Sequence, residues 1–160
     1  MFKKTKHDNI NHHFVFIEVP ESIVAPEVIL WGESSWWPKK CAMKFTRLTE
    51  GELRVGTQFE QKVLLPLGPH WKVEVTKLVP NREIERTFLD GMFKGKEWVV
   101  IDERLNGTRV DYYMDCQIQG IVNKILWPVL FKKLHDSNIK MILAALRDYA
   151  VKKEKELKEQ

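Results

Sequence analysis

Apolar and polar residues alternate through the middle of the chain. Val110, Tyr112, Met114, Cys116 and Ile118 fall on one side of an extended backbone, and Asp111, Tyr113, Asp115 and Gln117 on the other. That period of two marks a strand with one dry face and one wet face. Trp71, Val73 and Val75 share a face in the same way, opposite Lys72, Glu74 and Thr76. The pattern predicts strands over 43–49, 55–65, 70–79, 83–90, 95–104 and 108–118, preceded by one over 13–19. Between them stand Glu50-Gly51, Pro66-Leu67-Gly68-Pro69, Pro80-Asn81, Asp90-Gly91 and Asn106-Gly107, all turn chemistry. Asn-Gly between two alternating runs is the strongest hairpin signal, so the strands are read as antiparallel neighbours.

Two stretches break this rhythm. After the first strand, Ser22 is read as a helix cap with Pro26 in the first turn, opening one or two short helices before Gly32, Trp36, Trp37 and Pro38. Beyond Gly120 the spacing becomes helical. Val122, Ile125, Leu126 and Val129 lead into Ile139, Ile142, Leu143, Leu146, Tyr149 and Ala150. One straight rod over that length exceeds the roughly 40 Å diameter of a domain this size. A kink or break is therefore expected at Pro128.

With seven strands and one long terminal helix, the predicted class is α+β: a curved seven-stranded antiparallel sheet in the order β-α-α-β6-α, wrapped around the C-terminal helix. Residues 13–151 form the single domain, 1–12 a flexible basic N-terminus and 152–160 a charged tail. Such a sheet does not close tightly on one helix, so an internal space is expected between them.

Composition narrows the function. The 160 residues carry a net charge of +4, supplied by Lys3, Lys4, Lys6 and the Lys/Glu tail, which leaves the body neutral. A folded nucleic-acid module carries positive charge on its folded surface, so nucleic acid is not an expected partner. Three N-terminal lysines are also too few for firm attachment to anionic lipid. The 2 cysteines, Cys41 and Cys116, form no CxxC pair and are read as free thiols of a reducing cytoplasm. No apolar run matches a signal peptide or a membrane span. The expectation is a cytoplasmic protein without integral membrane association, its oligomeric state open.

Val19-Pro20-Glu21-Ser22-Ile23-Val24 leading into Trp36-Trp37-Pro38, then Gly107-Thr108-Arg109-Val110-Asp111-Tyr112, then the helix from about Leu130 to Tyr149, carry a resemblance. In this order they resemble the START/Bet v 1-like helix-grip superfamily (SRPBCC), in particular its polyketide cyclase/dehydrase-like branch. The resemblance implies a cavity for a lipid, fatty acid, polyketide-like or other apolar molecule, in a binding protein or an enzyme. It carries no universal catalytic residue.

The candidate lining is aromatic. Six tryptophans are many for this length; any one of them is more often core, but together they suit the wall of an apolar pocket. The expected ligand-binding set is Trp37, Phe59, Gln61, Trp71, Arg86, Phe88, Trp98, Tyr112 and Met114 from the sheet, facing Leu134, Asn138 and Met141 from the helix. Gln61, Arg86 and Tyr112 are the groups able to orient a polar head. Arg86 falls between Ile84 and Phe88 on the inner face, either snorkelling to the rim or reaching toward a partner. Binding or carriage of an apolar molecule is the favoured function. A cyclase/dehydrase- or hydrolase-type enzyme in the same cavity is the alternative, with Arg86, Tyr112 and His135 in acid/base or oxyanion roles. No cofactor and no metal site are expected. His7, His12 and His13 do not converge, Ser34-Ser35 lacks a nucleophile elbow, and no glycine-rich phosphate loop is present. Cys116 is read as an inward, inert thiol.

Overall fold

The alternating stretches become seven strands: β1 Asn9–Ile17, β2 Met43–Arg47, β3 Gln58–Val63, β4 His70–Val79, β5 Glu83–Phe88, β6 Phe93–Arg104 and β7 Gly107–Ile118. The computed structural model describes residues 9–160; Lys3, Lys4, Lys6 and His7 lie outside the described residues. All pairings are antiparallel, in the order β1-β7-β6-β5-β4-β3-β2, so the first strand joins the last and the sheet curls around its concave face. β1 begins at Asn9 rather than at residue 13, pairing with β7 through Asn9↔Cys116. Residues 9–12 therefore belong to the sheet and not to a flexible arm.

Curvature needs points where the backbone can yield. In β6, Gly95 has φ 139°, and a Cβ there would run into the Asp115 carbonyl of β7. A side chain is excluded where two backbones approach this closely. β4 changes register between Val75 and Lys77, a second bend.

Helix α1, Glu21–Ile29, starts one residue before the expected cap, with Pro20 at the N-cap. Pro26 thus lies in the second turn rather than the first. The second short helix is replaced by turns over 30–42, where Gly32 at φ 87° packs under the Phe45 ring. Buried Glu27 of α1 accepts from Trp36 Nε1 at 3.1 Å and from Lys153 Nζ at 2.7 Å, fastening this corner to the terminal helix.

The C-terminal helix runs unbroken for 38 residues. It comprises α2 Ile121–Leu126, a π-helical turn Trp127–Phe131 and α3 Lys132–Lys158. Proline lacks the N–H of an i→i−4 bond and its ring crowds the preceding turn. A kink or break was expected at Pro128; the wider π turn accommodates the proline there, and the helix continues without a break. Length is reconciled with size by leaving both ends unpacked. Only the stretch from Trp127 to Ala150 fills the sheet's concavity, and α2 buries nothing. The charged tail is helical as far as Lys158, and Lys153 is tied back to Glu27.

Candidate functional site

A band of polar side chains crosses the middle of the concave face. Strand register places it: Gln61 of β3 opposes Trp71 of β4, and Arg86 of β5 opposes Glu97 of β6. Trp71 Nε1 donates to Gln61 Oε1 at 2.7 Å, and Gln61 Nε2 donates to Glu97 Oε1 at 2.6 Å. From β7, Tyr112 OH donates to Glu97 Oε2 at 2.9 Å. His135 of α3 closes the band, its Nε2 lying 3.2 Å from the Tyr112 oxygen. With the phenol proton committed to Glu97, Nε2–H of His135 is the donor to that oxygen. Burial, then the charge of Glu97, raises the Tyr112 phenol well above its ordinary value and keeps it a donor.

Arg86 is the exception in this network. It is 0 % exposed, and none of Nε, Nη1 and Nη2 has a hydrogen-bond partner. Its nearest counter-charge is Glu97 Oε1, 3.6 Å from Nη1, and its guanidinium lies over the rings of Phe45 and Phe59 at 5.7 and 5.8 Å. Desolvation lowers the affinity of Arg86 for its proton and Glu97 only partly restores it. Buried charges in proteins are ordinarily hydrogen-bonded as well as paired. A set of uncommitted donors at the centre of the fold is the chemical feature that calls for an oxygen acceptor.

Beside the band lies an apolar cavity of about 20 Å³, lined by Trp71, Phe93, Trp127, Leu134, His135 and Asn138 among others. That volume holds about one water. The interior is otherwise occupied by interlocked rings. Trp31 stacks on Tyr112 at 6.0 Å and meets Trp37 edge-on at 5.8 Å, while Phe93 bridges Trp71 and Trp127 at 4.7 and 5.1 Å. The expected roomy hollow is thus a small gap between packed aromatics.

Of the expected ligand-binding residues, Trp71, Leu134 and Asn138 line the gap, as does His135. Phe59, Gln61, Arg86, Phe88, Tyr112 and Met114 are buried around it, with Trp37 and Met141 half-buried against the same core. Trp98 is a correction. Its partner across the ladder is Tyr113, so it lies on the convex face, stacked on Tyr113 at 5.1 Å with Lys96 over its ring. Glu97, Met43, Val63, Met92, Phe93 and Trp127 were not singled out by the sequence, yet all six belong to the band or the gap.

Just outside, Asp136 of α3 draws in Asn11 at 2.5 Å, His13 at 3.1 Å and Lys132 at 2.7 Å. The adjacent His135 ring and these donors hold its carboxyl well below the usual aspartate range. Among the described residues no cluster of His, Cys, Asp and Glu is placed to hold a metal ion.

No protein-family model matches the chain, and no curated protein matches it in sequence. Solved structures do. The Thermus thermophilus protein TTHA0849 is 16 % identical with a TM-score of 0.69, over 89 % of this chain and 97 % of that one. A START superfamily protein of Mycobacterium smegmatis is 14 % identical with a TM-score of 0.64, over 89 % and 97 % of the two chains. The Zhui aromatase/cyclase of a Streptomyces species is 15 % identical with a TM-score of 0.64, over 89 % and 93 %. At such identities the likeness is one of fold: the chain has the START/Bet v 1-like helix-grip architecture.

Proposed function

Taking the START/Bet v 1-like helix grip as the premise, we propose that this protein binds or carries an apolar small molecule, a lipid, fatty acid or polyketide-like compound, with an oxygen-bearing head directed at Arg86. The observation that carries this reading is the guanidinium of Arg86, wholly buried with every donor uncommitted. A carboxylate or carbonyl there would satisfy it, and the aromatic lining would take the apolar body.

A gap of about 20 Å³ admits no such body without movement. The movable part is the end of the terminal helix, where α2 buries no residue; segments with few buried contacts open at the lowest cost. Burying about 300 Å² of apolar ligand contributes roughly 7–8 kcal/mol gross, from which lost rigid-body freedom removes at least ~4 kcal/mol. Affinity therefore depends on the head group. Buried free thiols at Cys41 and Cys116 support a reducing, cytoplasmic setting.

The test is native mass spectrometry and thermal shift with a fatty acid and the alcohol and alkane of equal chain length. The acid should bind most tightly to the wild type, and Arg86→Met should erase that preference. Equal binding of all three, or of none, overturns the reading.

A second reading has its own support: Glu97, Tyr112 and His135 lie in hydrogen-bond contact beside the gap. This is the convergence of titratable groups that acid/base chemistry needs. In a cyclase/dehydrase- or hydrolase-type reaction, Tyr112 would donate a proton, His135 accept one at Nδ1, which has no hydrogen-bond partner, and Arg86 hold an oxyanion. Recovery of a bound compound chemically changed by the wild type, but unchanged by Tyr112→Phe, would favour the enzyme over the carrier.

A further inference from the structure

One end of the sheet carries the start of β2, the β3–β4 and β5–β6 loops and the exit from β7 into α2, and it differs from the rest of the surface in two respects. First, it is greasy. Ile121, Val122, Ile125 and Val129 of the helix are exposed, and Leu64 and Leu67 of the β3–β4 loop stand out beside them. Second, it is cationic. Residues 38–44, 62–72, 89–96 and 117–133 contain ten of the chain's 26 basic residues and one of its 22 acidic residues, Asp90, whose side chain is engaged by the Lys72 N–H. The remainder of the chain carries a surplus of five carboxylates. A body neutral in sum is thus strongly polarised in space. Among the described residues only Lys96 and Lys132 of those ten lysines form ion pairs, with Glu85 and Asp136.

We propose that this end is a docking face for an anionic lipid membrane, on which α2 and the β3–β4 loop insert their aliphatic side chains while the surrounding lysines meet the headgroups. The combination of protruding aliphatics and a lysine rim is the chemistry of interfacial membrane binding. A second copy of the chain fits poorly, because it would press ten lysines against ten. Protein interfaces are also poor in lysine and rich in arginine and exposed aromatics. This face has no arginine, and its Trp127 is buried. Val63, Met92 and Trp127 line the internal gap directly beneath the face, so docking would set the mouth of the grip against the bilayer. The proposal concerns the outer surface and stands whatever the interior holds.

The experiment is co-sedimentation of the full chain with vesicles of phosphatidylcholine alone and of phosphatidylcholine with phosphatidylglycerol. Binding is expected only to the anionic vesicles, and salt should weaken it. Lys124→Gln with Lys133→Gln should lower partitioning roughly fivefold per lysine removed. Leu67→Asn with Ile125→Asn should abolish it. All four side chains are exposed, and circular dichroism and melting temperature should match the wild type. Lys152→Gln with Lys155→Gln, in the tail, should change nothing. Failure to bind anionic vesicles overturns the proposal. So does binding that neither face variant alters, stronger binding to polyglutamate than to vesicles, or a dimer in light scattering that Leu67→Asn with Ile125→Asn dissolves.

Discussion

Arg86 and Glu97 oppose each other directly across β5 and β6, both buried, with 3.6 Å between Nη1 and Oε1. Their circumstances are unequal. Glu97 accepts from Gln61 and Tyr112, whereas Arg86 makes no hydrogen bond and has only this ion pair and two ring faces. Loss of Glu97's charge strands a buried cation, and Glu97→Gln should cost about 3–5 kcal/mol. Arg86→Met leaves a carboxylate that keeps two donors and should cost clearly less. Urea denaturation of both variants gives the order; the reverse order would mean that Glu97, not Arg86, is the group in need of a partner.

Acid sensitivity should centre on Asp136. Its carboxyl in the folded chain gives up its proton more readily than in the unfolded chain, so the stabilisation is fully present above the ordinary value of 3.8 and disappears as the pH falls below it. Asp136→Asn should lose about 1–2 kcal/mol at neutral pH and show a flatter dependence of melting temperature on pH below 4. A variant with the wild-type acid profile would assign that loss to other carboxylates.

Neither thiol should react in the native state. Burial, then the charge of Asp115, pushes the Cys116 thiol up to about 12, and burial raises Cys41 as well. A thiol-specific chromophore should label neither at pH 8 and both in denaturant. Fast labelling of Cys116 without denaturant would show that the core around β7 opens.

The bend of the sheet should be sensitive to one methyl group. Gly95→Ala places a Cβ against the Asp115 carbonyl at a left-handed φ, and a loss of about 1–3 kcal/mol is expected. A melting temperature within error of the wild type would show that β6 and β7 can separate there at little cost.

How far the sequence disclosed the fold depends on where its alternation is clean. Along β7 every second residue from Val110 to Ile118 is buried as the pattern states, because one face meets the core and the other faces away. Along β6 the same reasoning failed at Trp98. Trp98, Val99, Val100 and Ile101 form an unbroken apolar run, and its parity is decided by Glu97, a carboxylate pointing inward. A rule that sends charge outward must misassign a strand whose buried residue is charged. Pattern did find Arg86, because Ile84 and Phe88 fix the face on either side of it. The lysine-rich end was illegible for another reason: its four segments are distant in sequence and only the order of the strands brings them together. The size of the internal gap likewise depends on ring geometry, which no periodicity encodes.

Glu27 binds both Trp36 and Lys153, while among the described residues nothing comparable anchors α2 at the other extremity. The terminal helix is in that sense a lever with its fulcrum at the corner formed by Glu27. On the carrier reading proposed above, a guest would enter from the side of Trp127, where α2 buries no residue. Cutting the Glu27–Lys153 tether would free the pivot itself and turn a one-sided aperture into a loose fit along the whole rod.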